Sequence, residues 1–557
     1  MPACDHNGFS IINGERTGAP PCGATPWSPA PSPFLLETMN NFSASMRVTK
    51  PAVQSQAGIV AAQHRRAAEA GARILRDGGD AVDAVIATSF ALGVLEPWMS
   101  GIGGGGAMVL YRAKENRYRV IDFGMRAPVS LDTADYPLTG EGMASDLFPW
   151  ARVRDDRNIH GPLSIAVPGV VDGMRVAHER FAKLAWRELL EPAIAFAEEG
   201  LLIDGFATQN IAGAALDLNR YPTSREAWLP NGLPPVAAWS ARSEVRLPQK
   251  KLAATLRRLA QAGARDFYDG DLARTITREV QVLGGRLRAG DLGAYRAREI
   301  EPLFIDYRNA RVAATPELTA GPTLAHTLGL LASRLTPRAS PDAAAYAAYV
   351  QSLQDAYEFR LTRMGDVDGG RAPACTTHFC VVDREGNMAA VTQTLLSIFG
   401  SRVHLPESGV LMNNGIMWFD PEAGRPNSLA PGKRCLTNYC PIIAEQGDRR
   451  FALGASGGRR ILPAVTQLFS FLADYGDTLE TAFHRPRIDA SEGALVIGDT
   501  ALDEAIHQAL QARFEYIQQH RLTLPFKYAC PSGVLRSGNS NWGATEISSP
   551  WADAISG

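Results

Sequence analysis

The stretch Thr376–Thr394, TTHFCVVDREGNMAAVTQT, decides how the chain is read. Thr377–Asp383 is rich in β-branched and aromatic residues and reads as a strand. Asp383-Arg-Glu-Gly-Asn387 is a turn by composition, and Met388–Thr394 returns as a second strand. Just upstream, Gly365-Asp-Val-Asp-Gly-Gly-Arg-Ala-Pro373 is a loop. Thr376 therefore stands where a polar loop breaks into a β-hairpin.

The same alternation extends outward. AMVLYR and RYRVIDF flank Lys114-Glu115-Asn116 and read as another hairpin. FALGA at 451–455 reads as a strand, followed by Ser-Gly-Gly and a helix from about 460 to 473. Residues 58–76 and 80–95 are Ala-rich with apolar spacing near four, and read as two helices joined by Asp77-Gly78-Gly79. Asp80 is a good cap for the second. The stretch 175–300 is mostly helical in pattern, and 340–365 is a further helix. Helices in blocks and strands in hairpins predict an α+β fold with antiparallel sheets, not a doubly wound parallel sheet.

A chain of 557 residues exceeds one ordinary core, so two large layers or lobes are expected. Its 56 basic and 58 acidic residues leave a formal charge of −2, which gives no reason to expect nucleic-acid or membrane-surface partners. Seven cysteines, an odd number without any CxxC, suggest neither a disulfide framework nor a zinc site. Reduced thiols, a cytoplasmic location and no metal or cofactor are expected. The most apolar run, Ala81–Leu95, is interrupted by Asp83 and Ser89 and is no membrane span. Residues 1–47 form a polar, Pro/Gly-rich tail, expected to be disordered, without the pattern of a secretory signal. Met39 and Met46 are alternative starts.

Thr376 admits two readings. Threonine is at home at the start of a strand. Alternatively, its hydroxyl attacks the carbonyl of Cys375, the amide shifts to an ester, and hydrolysis frees a threonine with its own α-amine. An α-amine has a reference pKa of about 7.7–8, so it can act as base for its own hydroxyl near neutral pH.

The run TTHFCVVDREGNMAAVTQT resembles the small-subunit start of the γ-glutamyltranspeptidase family of N-terminal nucleophile hydrolases. Separated signatures match in order over roughly 55–550. They include EAGARILRDGGDAVDAVIA, LEPWMSGIGGGGAMVLY, AVPGVVDGM, the FYDG at 267–270, Asn413-Asn414, PGKR at 431–434 and GASGGRRI at 454–461. The resemblance implies a four-layer αββα sandwich, built jointly by a large subunit, 48–375, and a small subunit, 376–557, after cleavage between Cys375 and Thr376. It implies Thr376 as nucleophile, Thr394 as the threonine that orients it, and the backbone amides of Gly457 and Gly458 as oxyanion hole. Only glycine lets such donors come within about 2.7–3.1 Å of the oxyanion uncrowded. The two subunits are expected to stay paired because their strands share a core; dimerisation of such pairs is open.

The pocket departs from the family pattern. Where an arginine follows Asp-Phe to hold the substrate's α-carboxylate, this chain has Gly124, with Arg126 two residues on as a substitute or a surface charge. Trp418 stands where an aspartate holds the α-ammonium, Thr437-Asn438 replaces a Ser-Ser pair, and Leu396 replaces an asparagine. These changes keep the chemistry and remove much of the zwitterion recognition. The expected substrate is a γ-glutamyl or related amide, with glutaryl-type acyl groups lacking an α-amine as the alternative. A non-catalytic, unprocessed relative acting as a binding protein is a third reading.

Two motifs compete. Gly454-Ala-Ser456-Gly-Gly458 fits a serine nucleophile elbow between strand and helix, with Asp489 and His507 as the only suitable partners. Gly101–Gly106 suggests a phosphate loop, but Ala107-Met108 follows it instead of Lys-Ser/Thr. It reads better as backbone packed near the site.

Overall fold

The computed structural model describes residues 47–143, 150–364, 374–522 and 527–557, with backbone only at 143, 361–363, 374 and 375. The expected disordered tail, apart from Arg47, and the loop 365–373 expected to precede cleavage lie outside the described residues.

Two seven-stranded sheets, antiparallel throughout, organise Val48–Gly557. The first runs Asp553–Ser556, Ile59–Ala62, Ala374–Val382, Met388–Ser397, Gly105–Arg112, Arg117–Phe123 and Arg298–Ile300. The second runs Val53–Ser55, Ser540–Thr545, Cys530–Ser537, Arg449–Ser456, Ile442–Gln446, Ala310–Ala314 and Leu303–Tyr307. Alternation along each strand divides its side chains between two cores. Cys380, Val382, Met388, Ala390, Val109 and Val120 of the first sheet pack with Ala313, Ile443, Ala452 and Val534 of the second. Phe379, Val381, Ala389 and Val391 face the opposite way, onto a helical cluster that includes Val85, Phe90 and Leu92. Val312, Ala444, Phe451 and Leu453 of the second sheet pack on Leu328, Tyr349, Val465 and Phe469 from helices.

The helix Ala81–Leu95 is buried on nearly every side, and starts as its sequence requires. Asp80 accepts from the amide of Val82 at 2.8 Å, while Asp83 accepts from that of Asp80 at 2.8 Å. This capping box satisfies amides otherwise left bare at the buried helix start. Glu96 follows as its C-cap and Pro97 blocks further turns, which fixes the entry to the glycine loop.

One expected helix is corrected. Residues 58–76 divide into the strand Ile59–Ala62 and the helix Arg65–Arg76, which His64 caps by accepting from the amide of Arg66. Ile59–Ala62 is wholly buried, paired on one side with Phe379–Val382 and on the other with Asp553–Ser556. A strand covered on both faces carries no polar alternation, so its sequence resembles a buried helix.

Candidate active site

Thr376 lies in the strand Ala374–Val382, at a break in its pairing with Met388–Ser397. Cys375 faces Leu396 and Thr377 faces Gln393, so Thr394 and Leu395 together oppose Thr376. Such a bulge redirects a side chain without ending the sheet. Here Thr376 Oγ1 comes 3.4 Å from Thr394 Oγ1, and the amide of Leu396 donates to Thr394 Oγ1 at 2.8 Å. Leu396 itself has φ 90°, a backbone conformation rare for a residue with a side chain. Both threonines are buried.

The glycine loop holds this bulge from behind. A Cβ at Gly104 would collide with the carbonyl oxygen of Thr394, and one at Gly106 with that of Thr392. Asn413 and Asn414 tie the surrounding loops together. Asn413 Nδ2 donates to the carbonyls of Gly103 at 2.7 Å and Ala166 at 2.9 Å. Asn414 Oδ1 accepts from the amide of Ser397 at 3.0 Å, and its Nδ2 donates to Ile159 O at 2.8 Å.

Gly457 and Gly458 follow the strand Arg449–Ser456 in the neighbouring sheet, with φ of 129° and 60°. A Cβ on Gly457 would also press to 3.0 Å from Ala529 Cα. A side chain is thus disfavoured by conformation at both glycines, and by space as well at Gly457.

The serine-elbow reading is not borne out by geometry. Ser456 Oγ accepts from Gln63 Nε2 at 2.6 Å. Asp489 accepts from Ser491 at 2.9 Å, and His507 Nδ1 lies 2.6 Å from Tyr516 OH. The three residues are engaged separately. His378, beside the threonine pair, is also a packing residue. Its Nδ1 is 2.9 Å from Thr392 Oγ1, its ring fills the space over Gly454, and burial lowers its pKa to about 3.

The residues expected to bind substrate occupy different settings. Trp418 and Leu396 belong to one buried apolar cluster with Met125, Phe419 and Tyr439. Thr437 Oγ1 donates to Leu318 O at 3.2 Å, and Asn438 Oδ1 accepts from Arg360 at 3.2 Å. The backbone of Arg126 bridges Val167 and its guanidinium lies 5.9 Å from the centre of the Tyr295 ring. Among the described residues no cluster of His, Cys, Asp or Glu is disposed to hold a metal.

Comparison with known proteins gives the family. The family model described as gamma-glutamyltranspeptidase matches residues 67–375 and 370–549. The chain belongs to the γ-glutamyltranspeptidase family. It is 33% identical over 503 residues to the acylase ACY 1 proenzyme of Pseudomonas sp. strain SE83, covering 83% of this chain and 88% of that protein. It is 30% identical over 486 residues to the glutathione hydrolase proenzyme of Bacillus subtilis strain 168, covering 77% and 80%. Cephalosporin acylase from Bacillus halodurans shares the fold at a TM-score of 0.79, with 24% identity over 93% of this chain and 99% of that one. As a γ-glutamyltranspeptidase-family member the chain is an enzyme of amide hydrolysis and acyl transfer.

Sequence reading missed a buried polar relay beneath the site. Thr377 Oγ1 lies 3.3 Å from Glu96 Oε2 and 3.4 Å from Gln63 Oε1, and Gln63 Nε2 donates to Ser456 and to Cys530 O at 2.8 Å. Burial raises the Glu96 carboxyl to about 8, against the hydrogen bond from Thr377. A protonated Glu96 can donate to Thr377, freeing the Thr377 proton for Gln63. The only sequence signal was Glu96, second in the LEPWMSGIGGGG run.

Proposed function

We propose that the chain cleaves itself between Cys375 and Thr376, and that the freed Thr376 is the nucleophile of an amide hydrolase. The approach of Thr376 Oγ1 to Thr394 Oγ1, 3.4 Å, carries this reading. The Leu396 amide holds the Thr394 oxygen in place, and that oxygen in turn accepts from the Thr376 hydroxyl and orients it. In processing, Thr376 Oγ1 adds to the Cys375 carbonyl, the amide nitrogen leaves as the new α-amine, and water hydrolyses the resulting ester. In turnover, the α-amine takes the Thr376 hydroxyl proton as the oxygen attacks the substrate carbonyl. The same proton passes to the departing amine, leaving an acyl ester on Thr376. Gly457 and Gly458 amides stabilise the oxyanion, and water or an amine then accepts the acyl group.

The assembled form is read as a four-layer αββα sandwich shared by two subunits. Strands from both sides of the scission interleave, Ile59–Ala62 lying between Ala374–Val382 and Asp553–Ser556. Cutting one peptide bond leaves that pairing intact. The buried thiols of Cys380, Cys435, Cys440 and Cys530 fit a reducing compartment.

The substrate is an acyl amide of the γ-glutamyl type with weakened need for an α-amine. An ammonium placed in the apolar cluster around Trp418 and Leu396 loses its hydration at a cost of several kcal/mol without a counter-charge. Processed protein should hydrolyse glutaryl-p-nitroanilide better than γ-glutamyl-p-nitroanilide. Equal or better use of the γ-glutamyl donor refutes this substrate assignment while leaving the nucleophile assignment standing.

A further inference from the structure

We propose that Arg459 is the residue that recognises a carboxylate on the acyl group. This rests on the reading of Thr376 as nucleophile and Gly457 and Gly458 as oxyanion donors. Arg459 follows those glycines directly, and its residue is only 9% exposed. Its Nε has no hydrogen-bond partner, and it forms no ion pair among the described residues. Its contact is the face of Tyr357, 5.3 Å from guanidinium carbon to ring centre, while Tyr357 OH donates to the Arg459 carbonyl. The neighbouring Arg460 shows the contrast, paired with Glu492 at 3.0 Å. A guanidinium buried without a counter-charge is unfavourable by several kcal/mol, and an anionic ligand relieves that cost.

The groups leading from Arg459 to the Thr437-Asn438 pair point to the same ligand chemistry. Tyr357 and Arg360 are one turn apart on the helix Ala343–Arg363, and Arg360 Nη2 donates to Thr437 O at 2.9 Å and Asn438 Oδ1 at 3.2 Å. With its oxygen engaged, Asn438 offers only Nδ2, which is buried without a partner. The adjoining Tyr439 hydroxyl is also buried without one. The unmet capacity of Arg459 and Asn438 is for donation, and the site presents no carboxylate of its own among these groups. A carboxylate satisfies donors of this kind, whereas an ammonium does not.

The test compares processed wild type with Arg459→Met and Arg459→Lys on glutaryl-p-nitroanilide and on valeryl-p-nitroanilide, which has a similar chain without the distal carboxylate. Wild type should prefer glutaryl. Arg459→Met should lose about 100-fold in kcat/KM on glutaryl, the size of a charge-assisted hydrogen bond, and less than about threefold on valeryl. Arg459→Lys should recover part of the preference. Cleavage of each variant into two fragments shows that it has folded. Equal losses on both donors, or no loss on either, overturn the role of Arg459 while the nucleophile reading stands. Failure of processed wild type to hydrolyse any amide donor overturns both.

Discussion

Gly104 and Thr394 touch through their backbones so closely that no side chain fits between them: a Cβ on Gly104 would fall inside the contact distance of the Thr394 carbonyl oxygen. The glycine loop thereby sets the position of the strand carrying Thr394, and through it the 3.4 Å approach to Thr376. Gly104→Ala should lower stability by about 1–3 kcal/mol through overpacking. Self-cleavage should slow even under conditions where the variant is fully folded. Urea unfolding and a cleavage time course check the two effects separately; cleavage at the wild-type rate contradicts the coupling.

Removing the Thr394 hydroxyl while keeping its shape isolates its contribution. Thr394→Val should reduce both the cleavage rate and kcat on amide donors by about tenfold, the range of one hydrogen bond, with little change in KM. Thr394→Ser should stay near wild type. A change in KM alone would mean that Thr394 binds substrate instead of orienting the nucleophile.

Glu96 gives a pH signature. The folded protein holds a proton to about pH 8 on a carboxyl whose ordinary pKa is 4.5, because burial penalises the charge. Its stabilising contribution is complete below about pH 4.5 and is lost as pH rises toward 8. Wild type should lose stability relative to Glu96→Gln across that window, with a slope no steeper than about 1.4 kcal/mol per pH unit. Parallel pH profiles from urea unfolding count against a neutral Glu96 beneath Thr377.

Trp418 tests the acyl pocket. Trp418→Asp places a carboxylate in the cluster with Leu396 and Tyr439, where an ammonium lacks a partner. The ratio of kcat/KM for γ-glutamyl over glutaryl p-nitroanilide should rise at least about tenfold, the worth of one added charge-assisted hydrogen bond. The ratio is insensitive to the fraction folded, which matters because losing a buried Trp costs about 3–5 kcal/mol. An unchanged ratio removes Trp418 from the pocket wall.

Much of the framework was legible in the chain. The hairpins around Asn116 and Gly386 and the Asp80-capped helix follow from turn residues and capping chemistry, which are local. Ile59–Ala62 was not legible as a strand, because burial on both faces erases the alternation that marks one. In the candidate site, the resemblance pointed to Thr376, Thr394 and the glycine pair, and the two threonine hydroxyls lie 3.4 Å apart. Side-chain direction was not legible: the resemblance offered Arg126 as a substitute or a surface charge, and only the structure shows its guanidinium 5.9 Å from the centre of the Tyr295 ring. Glu96 and Arg459 were overlooked because a charged residue at a helix end or after a turn usually faces water. Only the surrounding burial shows otherwise. The Gly-x-Ser-x-Gly run was ambiguous because one turn geometry serves both an elbow and an oxyanion site; the separate partners of Ser456, Asp489 and His507 count against the elbow.

The most direct test of the account is the N-terminal sequence of the fragments formed when purified wild type and Thr376→Ala are incubated side by side. The account predicts two wild-type fragments, the smaller beginning Thr376-Thr377-His378-Phe379, and a single intact Thr376→Ala chain without amidase activity. An uncut wild type that hydrolyses amides, or a Thr376→Ala chain that is cut at the same bond and remains active, contradicts it.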